Sequence, residues 1–182
     1  EDVNFSPTIF RMATLYGLSP RMRFDLVVNI LSAKAYWEET IPIFGGDQYR
    51  PNIHVADAGQ AFIDCLESPI ETISGEIYNI GSNDQNYQIK EIGNIVDECF
   101  PEARIDHQPD KQDERTYRVD FSKAETDLGF AAKHTIKDCC QELKTAFENG
   151  RFDDYDAAKY SNSKSLEENG AILDSALQVN TN

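Results

Sequence analysis

Positive charge is what this chain has least of. Its 182 residues carry 17 Lys and Arg against 32 Asp and Glu, a formal net charge of −15. A surface of that sign repels phosphate backbones and anionic lipid, which argues against nucleic acid or a membrane as partner. No apolar run is long enough to span a bilayer and no leader-like segment opens the sequence, so the expected location is the cytoplasm. Cys65, Cys99 and the adjacent pair Cys139-Cys140 lack metal-ligand spacing. Each falls on the apolar stripe of an expected helix, which fits buried free thiols. His54, His107 and His134 do not cluster in the sequence, and no metal site is expected. Internal repeats and low-complexity tracts are absent as well.

What remains is enough for one domain with a core, or one domain and a tail. Thr8–Tyr16, with Ile9, Phe10, Met12 and Leu15, reads as a strand apolar on both faces, the kind that lies inside a covered sheet. Phe24–Tyr36 has helical periodicity, broken by Asn29. Arg21 and Arg23 precede it, where cations oppose the helix dipole and call for a nearby anion such as Asp25. Ala58–Glu67 is a second helix, with Asp57 as its expected cap. Strands are expected at Glu76–Ile80 and from Ile105, and a helix over Ile89–Cys99. Pro109–Thr116 is a polar loop. Ser122 with Glu125, and Thr135 with Asp138, have capping-box spacing ahead of two more helices, which Gly129 and Gly150 close. From Arg151 the composition turns acidic and polar, so residues 1–150 are expected to be the domain and 151–182 a mobile tail, with one helix near Ser163–Leu177.

The stretch Ile41–Asp57, IPIFGGDQYRPNIHVAD, concentrates the chemistry. An apolar run ends in the turn Gly45-Gly46-Asp47. Arg50 follows, biased away from helix by Pro51, and a strand Asn52–Val55 leads into the helix. A guanidinium so placed suits bidentate recognition of phosphate; it is also compatible with an ordinary surface arginine in a hairpin. Six of the eight arginines (Arg11, Arg21, Arg23, Arg50, Arg115, Arg118) lie in or beside this and three other segments.

Those four segments, in order, are Arg11–Gly17 (RMATLYG), Arg50–Asp57 (RPNIHVAD), Tyr78–Ser82 (YNIGS) and Asp113–Phe130 (DERTYRVDFSKAETDLGF). Together they resemble the extended short-chain dehydrogenases, specifically the NAD-dependent nucleotide-sugar epimerases and dehydratases. The resemblance implies an α/β fold: a C-terminal substrate-binding lobe plus remnant strands of a Rossmann-type sheet. It implies a nucleotide-diphosphate sugar as ligand, and as its contacts Arg50, Arg115, Thr14, Asn29 and Lys111. Thr14 departs from the family pattern, which has Asn there; a hydroxyl offers one donor where the amide has two. Lys111 or Asp110 occupies the usual place of a diphosphate-binding arginine, and Arg115 comes a few residues later. Asn29 has a second reading, as a core polar residue satisfied locally.

Two signatures of the family are missing: the Gly-rich loop that admits a dinucleotide pyrophosphate to a helix N-terminus, and the Tyr-x-x-x-Lys pair that handles the proton. Tyr160 and Lys164 have that spacing but lie on the wrong side of the substrate segments. The expectation is a C-terminal portion that carries no catalytic residue, binds no cofactor and is inactive alone. Its parent would use NAD(P) on a missing N-terminal cofactor domain, and an exposed sheet edge would favour self-association. The alternative is a non-catalytic, stand-alone binding or interaction module.

Overall fold

The computed structural model describes residues 5–109 and 115–168. It is α/β, as the sequence implies, but its strands are short and sorted into three small sheets. Strand β1 (Ile9–Met12) pairs in parallel with β5 (Ile77–Ile80). Strand β2 (Thr14–Tyr16) pairs in parallel with β4 (Tyr49–His54), whose first half pairs antiparallel with β6 (Asn86–Gln88). Strand β3 (Thr40–Phe44) pairs in parallel with β7 (Arg104–Gln108). The helices are α1 (Val27–Trp37), α2 (Val55–Glu67), the single turn α3 (Ile70–Ile73), α4 (Ile89–Cys99), α5 (Ser122–Leu128) and α6 (Ile136–Glu148).

Several expectations change here. Thr8–Tyr16 is extended throughout, yet it is two strands that part at Ala13 and take different partners. Each has one neighbour among the described residues, and Ile9 is 51% exposed, so the segment is not sandwiched between covered faces. The expected hairpin around Gly45-Gly46 is not one, because β3 and β4 belong to different sheets. The turn is nonetheless fixed. Gly45 and Gly46 have φ of 69° and 117°, which favours glycine. Buried Gln48 closes the loop, accepting from Gly46 N–H and donating to Phe44 C=O. Pro51 is tolerated in β4 because β2 pairs only from Asn52 onward, leaving no ladder donor for it to break on that side.

Two packed clusters hold the elements together. The larger joins α1, α4 and α6 around β3, with Val28, Leu31, Ile41, Ile43, Ile92 and Leu143 at its centre; the smaller joins β1, β5, α2 and α5. The capping box at Thr135 and Asp138 is present and starts α6, whose apolar stripe, cysteines included, is buried. Ser122 does not cap α5. Asp120 does that work, accepting from Ser122 N–H and Oγ. The segment from Arg151 is not a detached tail over its described part. Buried Phe152, with Tyr155 and Tyr160, packs on Phe24, Trp37 and Phe147, because aromatic rings in an otherwise polar segment still find the core. Ser163–Glu168 is helical as expected; the rest of that expected helix lies outside the described residues.

Candidate functional site

Three of the proposed ligand contacts come together. Arg50 enters from β4, Arg115 from the loop after β7 and Thr14 from the head of β2, and all three line one cavity of about 570 Å³. Arg50 and Arg115 are 65 residues apart, and the link between them is direct: Arg50 donates from Nη1 to the Arg115 carbonyl and to its own neighbour Tyr49. Lys111 lies outside the described residues. Asn29 does not join this cavity. It is buried, accepts from Gly17 N–H (3.1 Å) and donates to the Arg23 carbonyl (2.9 Å), so the local reading left open by the sequence is the one its contacts support.

The chain crossing that builds the cavity wall repeats one dipeptide. Tyr49-Arg50 on β4 faces Tyr117-Arg118, and each guanidinium lies over the other's ring: Arg50 at 5.3 Å from the Tyr117 centroid, Arg118 at 4.3 Å from Tyr49. Backbone and side-chain bonds lock the crossing. Tyr49 N–H donates to Thr116 Oγ1, and Asn86 clasps Val119 through both N–H and C=O. Reading Tyr117 as a mere spacer missed it as a wall of the site, though the repeated Tyr-Arg pair was a visible signal.

A second cavity of about 680 Å³ adjoins the first, lined by Arg11, Arg23, Asn79, Arg118 and Asp120 among others. Thr14, Leu26 and Tyr117 line both. Across the two there are six cations (Arg11, Arg23, Lys34, Arg50, Arg115, Arg118) and two carboxylates (Asp25, Asp120), in a chain with 15 more acidic than basic groups. Positive charge is scarce in this protein and is gathered here. Asp25 is the anion expected beside the arginines that precede α1: it takes a two-point fork from Arg23 at 2.9 and 3.0 Å. Burial works against the Asp25 charge, but that fork and the Asn162 N–H outweigh it and hold the carboxyl below its usual range.

Behind the site is a buried polar knot. His54 and His134 stack at 4.6 Å, so two of the three histidines do meet; parallel pairing of β2 and β4 and the docking of α6 bring them together from 80 residues apart. His54 is the cap of α2: its Nδ1 accepts from Ala56 N–H, which leaves Nε2 to donate to Glu142 at 3.1 Å in the neutral ring. Asp57 is therefore not the cap. It sits in the first turn, 3% exposed, and accepts from the N–H groups of Lys133 and His134 and from His134 Nδ1 at 2.8–3.0 Å. Tyr16 donates to Gln85 at 2.6 Å, and burial drives its phenol far above the usual range. Burial also pushes the Cys140 thiol up to about 12 and raises Cys139, so neither is a nucleophile. Among the described residues no group of three or more His, Cys, Asp or Glu is placed to hold a metal, and no helix is long and apolar enough to cross a membrane.

Residues 1–81 match the model of the NAD dependent epimerase/dehydratase family. Three of the four resembling segments fall wholly or largely inside that span. This part of the chain belongs to that family. The fold extends the likeness. UDP-glucose 4-epimerase from Thermotoga maritima, solved with UDP-glucose, superposes with a TM-score of 0.68 at 23% identity, over 83% of this chain and 48% of that one. UDP-glucuronic acid 4-epimerase from Bacillus cereus, in complex with UDP-glucuronic acid and NAD, gives 0.63 at 26%, over 79% and 47%. An NAD-dependent NDP-hexosamine 5,6-dehydratase of tunicamycin biosynthesis gives 0.66 at 20%, over 82% and 47%. The chain thus spans about half the length of these solved structures.

The described residues do not fit the dinucleotide that the family name implies. Pyrophosphate needs free N–H groups at a helix start behind a Gly-rich turn. The two long helices that directly follow strands are closed by their own side chains: α2 by His54, and α4 by Gln88 with the carboxylate of Glu91.

Proposed function

We propose that this chain supplies the nucleotide-sugar cleft of an NAD-dependent epimerase or dehydratase, with Arg50 and Arg115 on the diphosphate and Thr14 as a lesser donor. The observation that carries this reading is the convergence of two guanidiniums from β4 and a distant loop on one cavity, in a strongly acidic chain. Guanidinium forks match phosphate geometry, and a cavity of this size falls in the range of small-ligand sites. The epimerases named above were solved with UDP-sugars, which is the ligand class the cleft suits. Cofactor and proton transfer then fall to groups outside this sequence, and the chain alone binds no NAD and is inactive. The edge of β1 turned away from β5 is where a further strand, from a cofactor lobe or a second copy, would add.

The test is calorimetric titration of UDP-glucose into the 182-residue chain and into Arg50→Ala and Arg50→Lys. Charge-assisted contacts are worth about 1.5–3 kcal/mol, so Arg50→Ala should weaken binding by about one to two decades. Lys should rescue little, because a point charge cannot make the fork. Undiminished binding in Arg50→Ala, with the fold intact by circular dichroism, removes Arg50 from the site. Tight stoichiometric binding of NAD would overturn the division of labour.

A further inference from the structure

The two cavities are one continuous cleft, joined at Thr14, Leu26 and Tyr117. If the diphosphate sits between Arg50 and Arg115, whatever is attached to it extends past Thr14 into the second cavity, beside β1. That cavity has more positive charge than a neutral sugar needs. Arg11, Arg23 and Arg118 line it against a single carboxylate, Asp120. Asp120 is already engaged: Ser122 donates to it from Oγ at 2.7 Å and from N–H at 3.0 Å, which holds its carboxyl below the usual range. Arg23 is balanced by Asp25, and Arg118 lies on the Tyr49 ring. The Arg11 side chain is different. It projects from β1 on an exposed position, and no ion pair or hydrogen bond engages its guanidinium among the described residues. Asn79, its register partner on β5, stands beside it in the same wall and spends its amide N–H on the Asp120 carbonyl.

A hexose hydroxyl is satisfied by neutral donors and acceptors. An uncommitted guanidinium facing the cleft, in a chain with so few cations, is matched by an anion. We propose that the second cavity takes a carboxylate borne on the glycosyl unit, with Arg11 as the specificity-determining residue, so that the preferred substrates are nucleotide-diphosphate uronic acids. This rests on the diphosphate reading above. The cavity's continuity with the Arg50 and Arg115 chamber assigns the second anion to the same ligand and not to a separate dinucleotide.

The experiment titrates the full chain with UDP-glucose, UDP-glucuronic acid and NAD, and repeats each with Arg11→Ala and Arg11→Lys, checking melting temperature in each case. UDP-glucuronic acid should bind about ten-fold more tightly than UDP-glucose, the size of one charge-assisted contact. Arg11→Ala should erase that advantage while leaving UDP-glucose within about two-fold, and Arg11→Lys should restore part of it. Equal affinities in the unmodified chain overturn the proposal while sparing the diphosphate reading, as does an Arg11→Ala loss shared by both sugars. NAD competing with UDP-glucuronic acid but not with UDP-glucose would assign the cavity to the dinucleotide and likewise overturn it. Binding of neither UDP-sugar sinks both readings.

Discussion

Replacing Asp57 by Asn tests the buried polar knot with almost no change in shape. Asp57 receives three donors, two backbone N–H groups of the segment before α6 and the Nδ1–H of His134. The amide keeps one carbonyl oxygen. If that oxygen faces the backbone donors, the new NH2 confronts His134 Nδ1–H; if it faces His134, the NH2 confronts the N–H groups of Lys133 and His134. Either way at least one buried donor loses its acceptor and meets another donor. Bonds to a charged group are worth about 1.5–3 kcal/mol, and an orphaned buried group costs about 1–3 kcal/mol. The His134 ring can flip to present an acceptor, which recovers part of this. A net loss of about 2–4 kcal/mol is expected, a large share of a total stability of about 5–15 kcal/mol. Urea denaturation followed by tryptophan fluorescence reads it directly, since Trp37 packs on Phe147 of α6. The midpoint should fall with the slope unchanged. Pairing Asp57→Asn with His134→Ala should give less than the sum of the single losses. A loss below about 1 kcal/mol would refute the claim that Asp57 ties α2 to the start of α6.

Three other outcomes follow from the same structure. Gly17→Ala should be among the most damaging small changes, by about 3 kcal/mol or more in denaturant titration: Gly17 has φ of 110°, and a Cβ there would lie 2.3 Å from His54 Nε2. Phe152→Ala should cost about 3–5 kcal/mol by the same assay, because its ring packs edge-on against Phe24 and Tyr160; a surface tail would show no loss. Thr135→Ala should cost about 1 kcal/mol near neutral pH. The bond to Thr135 holds the Asp138 carboxyl below the ordinary 3.8. A depressed folded value contributes stability that is present above the unfolded value and lost as pH falls through the folded one. The penalty should therefore shrink below about pH 3.8 when melting curves of the two proteins are compared across pH.

Elements with their own local signals were legible in the sequence. Helix α6 announces itself by Thr135, Asp138 and a stripe of six apolar positions, and all of these behave as the pattern requires. Arg50 and Arg115 were legible because scarce arginines in a basic-poor chain stand out, and the cavity does gather both. What could not be read locally was pairing. The break at Ala13 depends on β5 and β4 competing for successive residues of one extended segment, and no feature of Thr8–Tyr16 itself reveals two partners. Asp57 has the identity and position of a cap, and only the arrival of Lys133 and His134 gives it a different task. Asn29 likewise looks like a ligand on a helix until Gly17 and Arg23 are seen to use both ends of its amide.

The segment after Gly150 shows how such distant contacts reach the cleft. The loop that carries Arg23, Asp25 and Leu26 lines both cavities and has no strand or helix of its own to fix it. Its anchors come from the other end of the chain. Phe24 N–H donates to the Tyr160 carbonyl at 2.9 Å, Asn162 N–H donates to Asp25 at 2.9 Å, and Arg21 donates to the Asn162 side chain. The Phe24 ring is held among Phe147, Phe152, Tyr155 and Tyr160. A loop pinned by its own apolar residue from behind can present Arg23 and Asp25 to the cleft in one geometry, and ligand binding then need not supply the ordering entropy. The aromatic residues of an acidic, polar terminus thus serve the site without touching it, and a change at Phe152 or Tyr160 acts on affinity through the position of the Arg23–Asp25 pair.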